Sequence, residues 1–289
     1  RRMRLDEPLT IEEAFATSRI VERMEGTHRL YIHGRVNPNS PGDIEAMDEL
    51  AARYKIAAWK TYTQWGPDGN GFFLDDEVGI KFIDKAVKLG IRNIAVHKGL
   101  AFGKKSYQHS TCEDIGRVAK RYPHVNFLIY HSGFVADSVE GPYDEKNTKG
   151  IDRLIRSVKQ AGIGPGGNVY AELGSTWRAL MQKPDEAAHA IGKLLVTFGE
   201  DNIVWGTDSI WYGAPQDQIQ AFRSFEITPT FQQRYGYPAL TSKAKAKILG
   251  LNSARLYGVE PITTTCKIDR QQIESARLDR AAARPPYSA

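Results

Sequence analysis

Cysteine is scarce in this chain. Its 289 residues contain two, Cys112 and Cys266, and their separation fits neither a CxxC pair nor a disulfide framework. A thiolate metal centre and a cross-linked secreted scaffold are therefore not indicated, and both cysteines read as structural or incidental. No apolar run approaches the roughly 18–20 residues of a membrane span. The opening Arg1-Arg2-Met3-Arg4-Leu5 leads into Asp6, Glu7 and Pro8 rather than an apolar core, so it does not read as an export signal. Also missing is any long Lys/Arg block or basic-aromatic repeat. The net charge of +5 then describes a mildly basic surface and not a nucleic-acid site. These absences lead to the expectation of a soluble, cytoplasmic chain that acts on a small molecule, with neither nucleic acid nor membrane as partner.

What is present is enough apolar material for a large core: 41% of residues are hydrophobic and 25% charged. The length suits one β/α barrel, which commonly takes about 250 residues. Six short apolar runs alternate with helix-like segments. They are Leu30 to Val36, Ile56 to Tyr62, Asn93 to Gly99, Asn126 to Gly133, Asn168 to Gly174 and Asn202 to Asp208. Between them Ile44, Met47, Leu50 and Ala51, and again Ile80, Ile83 and Val87, recur at helical spacing. Ile94-Ala95-Val96 and Phe127-Leu128-Ile129-Tyr130 are continuous rather than alternating, as strands covered on both faces require. The expected class is α/β with a parallel sheet. Residues 1–262 read as the barrel domain and 263–289 as a tail of terminal helix and loose end. Arg1 to Gly26 reads as helical, with Ile11, Ala14, Phe15, Ser18 and Val21 on one face.

Chemistry enters where the runs end. Lys60, His97, His131, Glu172 and Asp208 each close one, and in a parallel barrel those positions share one rim. Two imidazoles and a carboxylate suit a divalent metal, zinc first, which lowers the pKa of bound water from about 15.7 to about 7. A lone strand-end His or Asp is more often structural than a ligand. Jointly the set argues for function, because Gly99 and Gly133 follow the histidines by two residues and Gly206 precedes Asp208 by two, allowing close approach. Lys60 has a bland alternative, pairing with a carboxylate. His33 reads as a buried structural imidazole, and His28, His109, His124 and His189 as peripheral. Two long segments, Thr63 to Asp76 and Phe134 to Gly150, follow strand ends on the same rim. Tyr62, Trp65, Trp211 and Tyr212 are candidate pocket walls, with Lys60, Lys98 and Arg178 as candidate carboxylate binders.

The segments Val96-His97-Lys98-Gly99, Tyr130-His131-Ser132-Gly133 and Trp205-Gly206-Thr207-Asp208, with the closing Lys247 to Tyr257, resemble the amidohydrolase superfamily. Within it they resemble the metal-dependent hydrolase branch that includes aminocarboxymuconate-semialdehyde decarboxylase. The resemblance spans about Leu30 to Val259 and implies a TIM-type (β/α)8 barrel. It makes His97 the ligand on barrel strand five, His131 the imidazole on strand six and Asp208 the carboxylate on strand eight. Lys60 falls at the end of strand four, where binuclear members carry a bridging carboxylated lysine. The implied metal residues are thus Lys60, His97, His131 and Asp208, with His131 and Asp208 catalytic and a homo-oligomer as the usual assembly. The His-x-His pair of the family's first strand is absent. Strands one and two then have no counterpart, and an upstream N-terminal segment is expected to close the barrel. The implied reaction is hydrolysis of a small organic acid, amide or lactone. The alternatives are nonoxidative decarboxylation and a noncatalytic barrel.

Overall fold

Continuous apolar runs give strands that are covered on both faces, and all six expected strands form. The computed structural model describes residues 9–101 and 107–261, together with Gln271, Glu274, Ser275 and Leu278. The strands β1 (Ile32–Arg35), β2 (Ile56–Tyr62), β3 (Asn93–His97), β4 (Asn126–Tyr130), β5 (Val169–Glu172) and β6 (Ile203–Val204) make one parallel sheet in the order β1-β2-β3-β4-β5-β6. Each strand's sheet neighbour is its chain neighbour. That is barrel winding, since a doubly wound sheet reverses its order part-way across.

Helices α2 (Met47–Arg53), α3 (Glu77–Lys88), α4 (Ile115–Arg121) and α5 (Gly150–Gln160) make the first four crossovers, and α6 (Thr176–Leu180) with α7 (Pro184–Phe198) the fifth. Ahead of β1, α1 (Ile11–Glu25) opens on a Thr10/Glu13 capping box and stops at Gly26 in the left-handed region. The N-terminal part of the expected helix, residues 1–8, lies outside the described residues. So does most of the expected tail, including Cys266; Gln271, Glu274, Ser275 and Leu278 are helical.

The two faces of the sheet differ in kind. Ile94, Val96, Phe127, Ile129, Val169, Ala171 and Ile203 are buried in the apolar core shared with the helices. Phe127 is fully buried, and truncating such a side chain to Ala costs about 3–5 kcal/mol. The alternate residues point into the barrel in register: Arg35 beside Lys60, Lys60 beside Ala95, Ala95 beside Leu128 and Leu128 beside Tyr170. One layer higher, Tyr62 lies beside His97 and His97 beside Tyr130. Low in the barrel His33 is the expected structural imidazole. Its Nδ1 is 3.3 Å from the Tyr130 hydroxyl and its Nε2 3.1 Å from that of Tyr257.

After β6 come α8 (Ser209–Tyr212), α9 (Gln216–Ser224), α10 (Pro229–Tyr235), α11 (Ser242–Ala246) and α12 (Asn252–Tyr257), the last two joined by a π-helical turn, Lys247–Leu251. Among the described residues β1 pairs only with β2 and β6 only with β5. Several strands stop short of the sequence reading: β3 at His97 instead of Gly99, β4 at Tyr130 instead of Gly133, β5 at Glu172 instead of Gly174 and β6 at Val204 instead of Asp208. The reason is conformational. Gly99, His131, Ser132, Gly133, Ser175 and Asp208 all have positive φ, which breaks an extended ladder.

Candidate active site

His97 is the last residue of β3, and His131 follows the last residue of β4, so adjacent strands carry both imidazoles to one rim. Each ring is anchored at its far nitrogen by a backbone carbonyl. His97 Nε2 lies 3.3 Å from Leu100 O, and His131 Nδ1 lies 2.6 Å from Gly174 O. A carbonyl only accepts, so the short contact to Gly174 O puts the His131 proton on Nδ1 and leaves Nε2 as an acceptor towards His97 Nδ1. Those two nitrogens face each other at 3.1 Å. Burial, the dominant effect on both, pushes both imidazole pKa values below the usual 6.5, and the charge of Lys60 adds to it. Both rings are therefore favoured in the neutral form, in which each keeps one nitrogen able to bind a metal.

Asp208 sits beyond β6 with φ 50° and ψ 37°, at the N-cap of α8. Its Oδ2 accepts from Ser175 Oγ at 2.5 Å and lies 3.6 Å from His131 Nδ1, on the side of the ring away from His97. Ser175 Oγ is also 3.1 Å from the Tyr212 hydroxyl. Glu172 supports the rim from below, with Oε2 accepting from His131 N at 2.9 Å and Oε1 from Gly174 N at 2.8 Å. Burial raises its carboxyl pKa, with Asp208 adding to the rise and the His131 amide opposing it. Lys60 is buried, its pKa lowered by burial against the pull of Glu172 and Asp208. Its Nζ lies 3.4 Å from the centre of the Tyr130 ring and 5.0 Å from that of Tyr62.

The donor chemistry fits a divalent ion in part. Two imidazole nitrogens converge, each ring with a carbonyl behind it, as metal-ligating histidines have. Among the described residues, however, no three His, Cys, Asp or Glu side chains are grouped closely enough to hold an ion together. The structure joins His97 with His131 and His131 with Asp208, but it does not bring Asp208 to the facing nitrogens.

A cavity of about 1210 Å³ opens over these residues. Tyr62, Trp65, Trp211 and Tyr212 line it, as expected from sequence. Trp65 stacks on Tyr62 at 4.1 Å, and Tyr62 on His97 at 5.1 Å, so a continuous wall of rings leads to the histidine pair. Two expected carboxylate binders are corrected. Lys98 points away from the cavity; it is fully buried, 2.9 Å from Asp114 and 3.1 Å from His109 O. Arg178 lies outside the cavity wall, over the Tyr212 ring and 3.7 Å from Asp217. His28, His124 and His189 pack on tyrosines, and His109 on Phe73.

The sequence reading missed Arg35, Ser175 and Arg153, which also line the cavity. Arg35 was legible in principle, as the position after His33 on the same strand face. Ser175 carried no signal, because its role depends on a left-handed turn (φ 55°) after β5.

The amidohydrolase family profile matches residues 15–259. The chain belongs to the amidohydrolase family. It is thus an enzyme of the metal-dependent hydrolase kind. Its backbone is similar to a zinc-bound amidohydrolase from Burkholderia multivorans, at 14% identity and a TM-score of 0.54 over 87% of this chain and 80% of that one. A TIM-barrel protein from Bordetella bronchiseptica gives 14% and 0.51 over 84% and 71%. A 2,6-dihydroxybenzoate decarboxylase bound to 2,6-dihydroxybenzoate gives 13% and 0.50 over 86% and 77%. These likenesses establish the fold as a TIM-type barrel. No curated protein matches the chain.

Proposed function

We propose that this amidohydrolase hydrolyses a small organic acid, amide or lactone with a divalent ion, zinc first, held by His97 and His131 and completed by Asp208 and Lys60. The observation that carries the reading is the pair of carbonyl-backed imidazoles whose facing nitrogens stand 3.1 Å apart on one rim. Neutral imidazole nitrogens brought this close on one rim are the donors a divalent ion takes. When bound, the ion supplies Lewis acidity, which acidifies water and polarises a carbonyl.

The chain's own groups do the rest. Gly174 O and Leu100 O fix the two rings so that the nitrogens cannot turn away. Asp208, one quarter exposed and steadied by Ser175, is placed to take the proton from an attacking water as general base. Tyr62 and Trp65 offer a flat apolar face to the substrate body. Nonoxidative decarboxylation is the second reading, favoured by the Lys60 amine in the same cavity.

The test is metal analysis of the purified protein with a screen of lactones, amides and aromatic carboxylates, detecting acid release and CO₂ separately. Bound divalent metal and acid release are expected. Release of CO₂ without incorporation of solvent oxygen would overturn hydrolysis, and unchanged metal content in both His97→Ala and His131→Ala would overturn the ligand assignment.

A further inference from the structure

The long segment between β4 and α5, Phe134 to Gly150, leaves the cavity wall and returns to it. Val135, Ala136 and Asp137 line the cavity at its start, Lys149 and Gly150 at its end. An irregular stretch of this length inside a compact domain is usually functional. Its backbone does little to hold it: among the described residues the backbone bond within it is Asn147 N to Asp144 O, at 3.1 Å. Burial along the segment runs against residue type. Val139 is 83% exposed, whereas the next residue, Glu140, is buried at 6%.

The Glu140 carboxylate goes to Lys193, on α7. Lys193 Nζ is 2.6 Å from Glu140 Oε2, 2.7 Å from Asp152 Oδ1 on α5 and 3.2 Å from Gly141 O, and all three charged side chains are buried. Asp152 Oδ2 accepts from Asn147 Nδ2 at 3.0 Å, and Glu140 N donates to Glu186 Oε2 at 3.1 Å. One ammonium thus gathers two helices and the middle of the segment, yet neither it nor its two carboxylates line the cavity. Burial pushes the Glu140 carboxyl pKa up against the pull of Lys193, with Asp152 adding to the rise. Two carboxylates on one ammonium repel each other, and removing the charge of Glu140 leaves the Lys193–Asp152 pair between the helices complete.

We propose that Glu140 and Lys193 are positioning residues whose pair latches the Phe134–Gly150 segment, so that both of its ends stay in place as one wall of the substrate cavity. The latch rests on the hydrolase reading only in taking that cavity for the substrate's. Lys146 and Lys149, exposed in the same segment, supply a readout, because trypsin needs an unfastened stretch of chain around the bond it cuts. Glu140→Gln frees the segment while Asp152 still holds Lys193. Cleavage after Lys146 or Lys149 should then be at least about ten-fold faster, following the larger open fraction, with cleavage elsewhere unchanged. Lys193→Met should speed it at least as much, and the double variant no more than Lys193→Met alone.

Hydrolysis of dihydrocoumarin, an aromatic lactone, supplies the second readout. Glu140→Gln should raise KM at least about three-fold and leave kcat unchanged, because the wall has to be closed for binding while the reacting groups stay where they are. Cleavage of Glu140→Gln at the original rate, or effects of the two substitutions that multiply in the double variant, overturns the latch. Faster cleavage with an unchanged KM, or a loss confined to kcat, overturns its role in the cavity. Absence of lactone turnover by the original protein counts against the hydrolase reading and leaves the cleavage rates to decide the latch.

Discussion

Gly206→Ala is the sharpest perturbation of the rim. A methyl group at this position would stand 1.5 Å from Glu172 Oε1, with Gly174 N at 3.1 Å behind it, so the carboxylate has to move. Glu172 is buried and accepts from His131 N and Gly174 N at 2.9 and 2.8 Å. Hydrogen bonds to a charged group contribute about 1.5–3 kcal/mol each. Losing both therefore destabilises the fold by about 3–6 kcal/mol, roughly 6–24 °C in Tm at this chain length. Thermal and urea unfolding of Gly206→Ala, Glu172→Ala and the double variant form a cycle. Removing Glu172 makes room for the new methyl group, so the double variant should be no less stable than Glu172→Ala alone. A Gly206→Ala protein within about 1 kcal/mol of the original, or additive effects in the cycle, would refute the claim that Gly206 is bare to admit this carboxylate.

Three further outcomes are expected. Breaking the fully buried Lys98–Asp114 pair by Asp114→Ala should cost about 3–5 kcal/mol in urea unfolding, because it strands an ammonium, whereas exchanging both partners for apolar residues should cost less. His33 is held by burial, and secondarily by Lys60, at a pKa of about 4, below the 6.5 of the unfolded chain. The unfolded state takes up this proton first, so stability should fall as pH drops from 6.5 to 4, by up to about 3 kcal/mol, and a His33→Gln protein should lose that part of the slope in urea titrations. Ser175→Ala removes the hydroxyl that holds Asp208 Oδ2, and it should lower kcat with thermal stability changed by less than about 2 kcal/mol; an unchanged kcat would count against Asp208 as the base.

Much of the fold was legible because its signals are local. The six apolar runs became six strands, and Ile94-Ala95-Val96 showed by its continuity that both faces would be covered. Site residues were legible where a strand delivers them directly, as with His97 and, one residue past β4, His131. The failures share a cause. Lys60, two residues inside the end of β2, faces the barrel, whereas Lys98, one residue past β3, meets a buried aspartate sixteen residues further along the chain. Which way a side chain turns after its strand stops is set by φ at the turn, and sequence spacing says little about that. Ser175 was invisible for the same reason. Its hydroxyl reaches Asp208 only because the chain turns left-handed at both residues.

That backbone conformation also bears on why a bare scaffold explains this rim poorly. Among the described residues five non-glycine positions have positive φ: Leu100, His131, Ser132, Ser175 and Asp208. Each is on the rim, and residues held this way cost about 1–3 kcal/mol apiece. Strain of that kind persists only where neighbours over-determine it, and here they do. Ser132 Oγ donates to Glu172 O and Thr176 Oγ1 to His131 O, both at 2.8 Å, while Glu172 and Gly174 hold His131 from two sides. The energy so spent brings two imidazole nitrogens face to face and sets a carboxylate beside one of the rings. A barrel kept only for packing would lose nothing by relaxing all of it. The combination is understandable when a cation and a substrate complete it, which is the condition under which an amidohydrolase works.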